Sequence, residues 1–468
     1  MIWDLEQYRD KTAVLDEYGT SLTYGVLARE SRRVAEAMGR RCLAFILCRN
    51  EIGALVGYVG MMNGGMVPLL LSSHMDEEAL AGLLAAYRPP YLWAPEDMCF
   101  PDMTPVYRAV GYCLLRSHLE REYPLHPDLG LLLTTSGSTG SPKFVRQSYE
   151  NVRANAESIA AYLELDETER PITTLPMNYT YGLSIVNSHL LVGATVLITD
   201  KSLMQREFWA FFKETGATSF GGVPYTYEML ERMRFQRMDL PSLRTMTQAG
   251  GKLSPALHRK FAEAAQTAGR RFIVMYGQCE ATARMGYLPP ERAVEKCGSM
   301  GVAIPGGTFY LTDADGKRIT TPGVTGELIY KGPNVTLGYA ERGEDLEKGD
   351  ERGGVLQTGD MAKFDEDGYY YITGRKKRFL KVYGNRVNLD EVDGLVKERF
   401  PSLDCASAGV DDHLFVFVTD EEQTEAVKAF LVHKTKLNPA AFQVIALEKI
   451  PKNDSGKTLY QELERYYI

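Results

Sequence analysis

The sequence predicts an α/β fold, with a large N-terminal domain of parallel sheets, a small barrel-like β element and a small α+β C-terminal domain. Apolar runs that suit buried strands alternate with amphipathic stretches that suit helices, as in parallel sheets with covered faces. A single core stops growing at about 250–300 residues, so 468 residues should form several domains. The strand-like runs are 42–48, 66–71, 91–94, 131–135, 194–198, 218–223, 244–251 and 271–277, and two clear helical stretches are 24–40 and 255–269.

Residues 52–71 form an uncharged segment that is long enough to span a membrane as a single helix. However, Asn63-Gly64-Gly65 is a turn signal, and Pro68 follows closely. The segment therefore predicts a buried helix, a turn and a buried strand. We expect a protein without a membrane span.

The pattern changes from about residue 296 to residue 373, where short strand-like runs are separated by Gly, Asp and Pro. This punctuation is typical of a small antiparallel or barrel-like element. The remaining residues mix helix and strand patterns again. We therefore predict an N-terminal domain over 1–376, which includes the β-rich part, and a C-terminal domain over 377–468.

The composition favours a globular, intracellular protein. The formal net charge of −8 argues against general nucleic-acid binding, although a local basic patch remains compatible with it. The seven cysteines are scattered without a C-x-x-C pair, which indicates a reducing, cytoplasmic location. The first residues lack the basic and apolar regions of a secretory signal.

The stretch TTSGSTGSPK, residues 134–143, follows an apolar strand-like run and consists mostly of small hydroxylated residues and glycine. Such a loop presents backbone N–H groups, hydroxyls and one ammonium to an anion. It does not fit the P-loop of nucleoside triphosphatases, because Pro142 stands where the second glycine belongs. The late stretch PKNDSGKTLY (451–460) fails the same test, since its first position is a proline.

Two acidic residues stand at positions where packing does not require them. Glu280, in MYGQCEAT, follows a predicted strand end, where a carboxylate can hold a metal that bridges phosphates. The alternative role for Glu280 is to begin a helix. Asp360 follows a glycine in QTGD and can hold a ribose diol through both oxygens, although a plain Thr-Gly-Asp turn is the favoured explanation when this residue is taken alone.

A run of positive charge, GRKKRFLKVYGNRV (374–387), contains no acidic residue. It suits phosphate or an acidic partner, but taken alone such a run is more often only a solvated surface.

Together these motifs, with TGELIYKGPNVTLGY between QCEAT and QTGD, resemble the ordered motif series of the adenylate-forming, or AMP-binding, superfamily. That superfamily contains acyl- and aryl-CoA synthetases, adenylation domains of nonribosomal peptide synthetases, and firefly luciferase. The resemblance extends from about residue 20 to the end, and it implies that the C-terminal domain is a mobile lid.

The resemblance also implies roles for single residues. Glu280 would bind Mg²⁺, Asp360 and Arg375 would bind the ribose, and Lys377 would be the hinge of the lid. Lys457 and Thr139 would be catalytic in adenylation, and Lys381 would face the site afterwards. Cys279 stands where threonine is usual, and a thiol is a poor hydrogen-bond donor, so one phosphate contact is expected to be weak. The remaining nucleotide-binding residues would be Thr135, Ser136, Gly137, Ser138, Gly140, Lys143, Gly251, Tyr276 and Gly277.

The residues that would line the acid pocket include several tyrosines. Relatives that activate amino acids place an Asp after an aromatic residue here, whereas this chain has Tyr181-Gly182, which disfavours an amino acid substrate. An aryl or short polar acid is the better expectation, although buried tyrosines often only fill a core. The implied pocket residues are Tyr181, Gly182, Asn187, Tyr225, Ala249 and Gly250.

The implied reaction forms an acyl-adenylate from ATP and a carboxylic acid with Mg²⁺, and then transfers the acyl group to a thiol. Coenzyme A is the first expectation for that thiol, which would make the protein an acyl- or aryl-CoA ligase. A separate carrier protein with a phosphopantetheinyl arm stays open as the acceptor. A non-catalytic protein that binds acyl-AMP or nucleotide is the third interpretation, and Cys279 is the residue that favours it.

Overall fold

The structure, a computed structural model, describes residues 2–118, 121–134, 143–376, 378–383, 385–452 and 458–467. The chain divides into two compact units. The first comprises Met1–Thr308 and Tyr330–Leu356, and the second comprises Phe309–Ile329 and Gln357–Ile468. This division by compactness does not test the predicted domain boundary after residue 376, which stays a prediction.

The regular elements within the described residues are numbered in chain order. The helices are α1 Tyr24–Met38, α2 Ile52–Asn63, α3 Glu77–Tyr87, α4 Tyr149–Leu163, α5 Thr180–Leu191, α6 Arg206–Glu214, α7 Pro224–Arg232, α8 Pro255–Thr267, α9 Leu389–Arg399, α10 Thr424–Thr435 and α11 Tyr460–Leu463. The strands are β1 Thr12–Asp16, β2 Ser21–Thr23, β3 Leu43–Cys48, β4 Val67–Ser72, β5 Tyr91–Pro95, β6 Met103–Ala109, β7 Tyr112–Ser117, β8 Leu129–Thr134, β9 Phe144–Ser148, β10 Pro171–Ile172, β11 Val196–Ile198, β12 Ser219–Gly222, β13 Thr245–Gln248, β14 Arg271–Tyr276, β15 Gly286–Tyr287, β16 Val302–Ala303, β17 Thr308–Thr312, β18 Arg318–Ile319, β19 Gly326–Lys331, β20 Gly338–Ala340, β21 Val355–Phe364, β22 Tyr370–Arg375, β23 Phe379–Val382, β24 Asn385–Asn388, β25 Cys405–Val410, β26 His413–Val418 and β27 Phe442–Ala446.

Two large sheets build the first unit. In the described residues, one has the order β16-β15-β14-β13-β12-β10-β11-β1-β2, and the other has the order β20-β9-β8-β4-β3-β5-β7-β6. The central strands pair in parallel, as β12 with β13 and β3 with β4 do. Strands near the edges pair antiparallel, as β8 with β9 and β14 with β15 do. The α/β prediction is confirmed, and the short links between edge strands explain why these sheets are mixed.

The core of the first unit joins both sheets. One apolar cluster contains Val14 and Val196 from the first sheet together with Ile46 and Leu70 from the second. Helix α2 belongs to this cluster and is buried from Ile52 to Met62, as expected for a helix that is apolar on all sides. The predicted helix, turn and strand over 52–71 are therefore confirmed as α2 and β4. Over the described residues, none of the helices combines the length and the apolar character that crossing a bilayer requires.

The second unit contains three further sheets and its own core. Most of the five-stranded sheet β18-β17-β19-β21-β22 belongs to it, as do the hairpin of β23 and β24 and the sheet β25-β26-β27. The apolar cluster of the C-terminal part brings α9, through Val392 and Val396, against Val416 of β26 and Leu431 of α10. The predicted β-rich segment and the predicted α+β segment are both present.

Candidate functional site

Glu280 follows the carboxyl end of β14, a strand of the first large sheet. Gly277 makes the first turn, and a Cβ atom there would lie 1.7 Å from the carbonyl oxygen of Ala283, so only glycine fits. Glu280 then sits in a short 3-10 turn, Cys279–Ala281. In open α/β sheets, ligands bind outside this end of the strands, so the backbone places Glu280 where the sequence predicts it.

A strained turn follows Glu280 directly. Thr282 has φ 65° and ψ −61°, and the N–H of Ala283 donates to the carbonyl oxygen of Ala281 at 2.8 Å, which closes a three-residue γ-turn. This conformation is rare for a β-branched residue and costs on the order of 1–3 kcal/mol. The hydroxyl of Thr282 donates to the carbonyl oxygen of Asn334 at 2.7 Å, which helps to hold the turn. The surrounding structure thus fixes the backbone on the C-terminal side of Glu280.

The carboxylate of Glu280 is held by Tyr339 of β20. The Tyr339 hydroxyl donates to Oε1 at 2.7 Å. Burial, followed by the negative charge of Glu280, raises the pKa of this hydroxyl, which therefore stays protonated as a donor. The backbone oxygen of Glu280 accepts from the Oγ1 of Thr336 at 2.9 Å and from Nη1 of Arg352 at 3.0 Å.

Two cations lie on the ring of Tyr339. The Nζ atom of Lys143 is 4.0 Å from the ring centroid, and the Cζ atom of Arg352 is 4.7 Å from it. Lys143 is the last residue of the hydroxyl-rich stretch and directly precedes β9, which pairs antiparallel with β20. The Lys143 ammonium also lies 3.8 Å from Oε1 of Glu341. Two cations and the Glu280 carboxylate are therefore gathered around Tyr339, a combination that suits metal and phosphate.

This arrangement fits Mg²⁺. Mg²⁺ retains several waters and binds one or two protein carboxylates together with substrate phosphates. Glu280 supplies one carboxylate, and no group of three His, Cys, Asp or Glu suited to hold a metal occurs among the residues that the structure describes. The Glu280 carboxylate is thus compatible with a metal that also binds phosphates and waters.

Asp360 and Arg375 form an ion pair in the second unit. They face each other across the antiparallel pair of β21 and β22, and Nε of Arg375 lies 2.7 Å from Oδ1 of Asp360. Asp360 is only 3% exposed. The structure thus brings together the two residues that the resemblance assigns to the ribose, although their ribose role stays a prediction.

The basic run is largely paired within the second unit. Lys376 lies 2.7 Å from Glu327, while Arg378 contacts Asp390 at 2.5 Å and Asp393 at 2.8 Å. Burial raises the pKa of Asp393 to about 6, against the lowering effect of Arg378. Three of the six basic residues of the run, Arg375, Lys376 and Arg378, thus have acidic partners. The backbone N–H of Lys381 donates to Asp411, and the Lys381 side chain is exposed.

Some of the predicted pocket residues lie together in the core of the first unit. Tyr181 and Ala249 belong to one apolar cluster, which Tyr179 joins at its edge. The Tyr181 hydroxyl is 2.8 Å from Oγ1 of Thr247. Gly250 has φ 82°, and a Cβ atom there would approach the Tyr179 hydroxyl to 2.7 Å.

Other predicted pocket residues lie elsewhere. Asn187 is buried on α5, where its Oδ1 accepts from the Tyr58 hydroxyl at 3.0 Å, in the core between the sheets. Tyr225, at the start of α7, is 54% exposed. A Cβ atom at Gly182 would lie 2.4 Å from the carbonyl oxygen of Pro176, so that this glycine allows a close backbone approach.

The other nucleotide residues are only partly described. Tyr276 ends β14, and its hydroxyl accepts from Nε2 of Gln278 at 3.2 Å. Gly251 is exposed, and its carbonyl oxygen accepts from Nε2 of Gln248 at 2.9 Å. Thr135, Ser136, Gly137, Ser138, Thr139, Gly140, Lys377 and Lys457 lie outside the described residues.

Tyr339 and Arg352 are site residues that sequence reasoning missed. Tyr339 is the last residue of the motif TGELIYKGPNVTLGY, so it belongs to a segment that the sequence already singles out. Nothing local in the sequence indicates that its partner is Glu280, 59 residues away.

Comparison with known proteins identifies similar sequences and folds. A family model described as AMP-binding enzyme matches residues 2–340. An oxalate–CoA ligase of Arabidopsis thaliana is 30% identical over 362 residues, which are 73% of this chain and 68% of that protein. An indoleacetate–CoA ligase of Aromatoleum aromaticum (strain DSM 19018 / LMG 30748 / EbN1) is 32% identical over 339 residues, which are 69% of this chain but only 62% of that protein.

One similar solved structure is o-succinylbenzoate CoA synthetase from Bacillus subtilis in complex with its acyl-adenylate intermediate. Its TM-score is 0.79 at 22% identity, and the match covers 98% of this chain and 97% of that one. This similarity confirms the predicted fold class. At 22% identity it shows the fold alone.

Proposed function

The chain belongs to the family of AMP-binding enzymes, and on that premise we propose that it is an AMP-forming acid–thiol ligase. In the first step a carboxylate oxygen attacks the α-phosphorus of ATP, which forms acyl-AMP and releases pyrophosphate. In the second step a thiol attacks the acyl carbon, which forms a thioester and releases AMP. ATP and the acid are the substrates, and Mg²⁺ is the metal cofactor.

The observation that carries this proposal is the arrangement around Glu280. A carboxylate at the carboxyl end of β14 is oriented by Tyr339, and Lys143 and Arg352 lie on the same ring. Two anions meet in the first step, so the rate depends on positioning and on neutralising charge. Bound Mg²⁺ supplies positive charge to the phosphates. Lys143 adds a second positive charge, and we assign the ribose to Asp360 and Arg375.

For the acid we propose an aryl or short polar carboxylic acid. Tyr181 and Ala249 belong to one apolar cluster that Tyr179 borders, and the hydroxyls of Tyr179 and Tyr181 add polar character to it. The activities named for the two relatives, on oxalate and on indoleacetate, are of these two kinds.

For the thiol we propose coenzyme A, since both relatives are named as CoA ligases. A separate carrier protein is the alternative acceptor. Lys376 and Arg378 are paired with carboxylates, so they contribute less positive charge to a surface that could bind an acidic carrier protein.

The test is an ATP–pyrophosphate exchange screen over aryl, short polar, alkyl and amino acids, followed by detection of the thioester with coenzyme A. We expect exchange with an aryl or short polar acid and a coenzyme A thioester as product. Exchange without that thioester would favour a carrier protein. If nucleotide binds but no acid supports exchange, the protein is better explained as a non-catalytic binding protein. Cys279 is the residue that favours that interpretation.

A further inference from the structure

Tyr339 connects the two charged groups of the candidate site. Its hydroxyl donates to Oε1 of Glu280, and its ring lies 4.0 Å from the Lys143 ammonium. We propose that Tyr339 is a positioning residue, which orients the Glu280 carboxylate for the metal and holds Lys143 beside it. This proposal rests on the proposed function for its metal and nucleotide, but its test does not require the acid to be known.

The position of Tyr339 is itself fixed by the fold. The pairing of β9 with β20 aligns Tyr339 with Val145, two residues after Lys143. Arg146 of β9 is fully buried, and its Nε donates to the carbonyl oxygen of Tyr339 at 3.0 Å. Nη2 of Arg146 also donates to Glu351 at 2.6 Å, so this guanidinium is paired. Strand β9 therefore holds the backbone at Tyr339 in two ways, through strand pairing and through the Arg146 side chain.

The hydrogen bond matters because Glu280 is the carboxylate that we assign to the metal. Mg²⁺ requires nearly ideal octahedral geometry, so the direction of that carboxylate decides the quality of the site. A donor on Oε1 fixes the carboxylate plane, and it leaves Oε2 for the metal. Residues that orient a metal ligand in this way typically change metal affinity by about 10–100-fold when they are replaced.

The ring has a second role that can be separated from that of the hydroxyl. A cation close to an aromatic face is bound about 2–30-fold more tightly, depending on how far it is desolvated. Tyr339→Phe removes the hydroxyl and retains the ring, whereas Tyr339→Leu removes both. We expect the phenylalanine variant to weaken metal binding alone, and the leucine variant to weaken the binding of ATP as well.

The experiment measures Mn²⁺, as a paramagnetic substitute for Mg²⁺, by electron paramagnetic resonance on the full chain with a non-hydrolysable ATP analogue. We expect Tyr339→Phe to raise the dissociation constant of Mn²⁺ about 10-fold. The matched control is Tyr24→Phe, because Tyr24 is also buried and its hydroxyl donates to the carbonyl oxygen of Ala194 at 2.7 Å. An unchanged Mn²⁺ constant in Tyr339→Phe would overturn the proposal.

A double-mutant cycle excludes a general loss of structure. In a Glu280→Gln background, adding Tyr339→Phe should leave the Mn²⁺ constant nearly unchanged, because the tyrosine acts through that carboxylate. An equal effect of Tyr339→Phe in both backgrounds would contradict the positioning role. Failure of the proposed function has a different signature, namely no exchange with any acid while Mn²⁺ and nucleotide still bind.

Discussion

The guanidinium of Arg375 and the carboxylate of Asp360 are joined at 2.7 Å between Nε and Oδ1, across β22 and β21. The pair exists because the antiparallel register puts the two residues opposite each other. The backbone N–H of Asp360 also donates to Oγ1 of Thr358 at 3.1 Å. Asp360 is thus held through its backbone N–H and through its carboxylate. The carboxylate is therefore oriented before any ligand arrives, which suits a residue that binds a ribose diol.

Replacing Asp360 should affect ATP through its ribose. A hydrogen bond to a charged group contributes about 1.5–3 kcal/mol, so we expect Asp360→Asn to raise the KM for ATP by about 10–100-fold. With 2′,3′-dideoxy-ATP the variant and the wild type should have similar KM values in pyrophosphate exchange. The control is Glu327→Gln, which breaks the ion pair of Glu327 with Lys376 in the same unit. If the KM rises equally for ATP and for the dideoxy nucleotide, Asp360 does not bind the ribose hydroxyls.

Lys457 is the residue on which we expect the adenylation step to depend most. Its ammonium would neutralise charge as the acid attacks, and loss of one such preorganised group costs about 10²–10³-fold in rate. We therefore expect Lys457→Ala to slow pyrophosphate exchange by that factor, with little change in the transfer of a preformed acyl-adenylate to the thiol. The matched control is Lys452→Ala, since Lys452 forms an ion pair with Asp404. Ordinary exchange in Lys457→Ala would contradict this role.

The fold was predictable because its signals are local. The apolar run of α2, the turn at Gly65 and the strand β4 follow from neighbouring residues, and so does the position of Glu280 after β14.

The contacts that complete the site join distant residues, and sequence patterns do not report them. Tyr339 reaches Glu280 only because β20 pairs with β9. The ion pair of Lys376 with Glu327, which lies 49 residues away in the sequence, is a contact of the same kind.

The buried thiol of Cys279 offers a gain-of-function test. It lies in the 3-10 turn beside Glu280, where a threonine hydroxyl would be a stronger donor to phosphate. A typical net hydrogen bond contributes about 0.5–1.5 kcal/mol, so Cys279→Thr should lower the KM for ATP by about 2–10-fold. Cys279→Ala should bind ATP about as well as the wild type. If threonine and alanine give the same KM, this side chain does not contact the nucleotide.

Two buried histidines should make the first unit sensitive to acid. Burial lowers the pKa of His189 from 6.5 to about 4 and the pKa of His258 to about 4. In the unfolded chain these side chains take up protons as the pH falls below 6.5, whereas the folded unit keeps them neutral until about pH 4. Stability is therefore fully present above pH 6.5 and is lost as the pH falls toward 4. Each histidine should lower the free energy of unfolding by about 2 kcal/mol when the pH falls from 7 to 5.

The measurement is urea unfolding at pH 7 and pH 5, followed by tryptophan fluorescence. Trp3, Trp93 and Trp209 all lie in the first unit, so the signal reports on that unit. Nδ1 of His189 lies 2.8 Å from the carbonyl oxygen of Ile185, a contact that the amide of His189→Asn can retain as a donor. That variant should lose about 2 kcal/mol less than the wild type between the two pH values, whereas His74→Asn at the exposed His74 should match the wild type. A pH dependence that His189→Asn leaves intact would show that other groups carry the proton uptake.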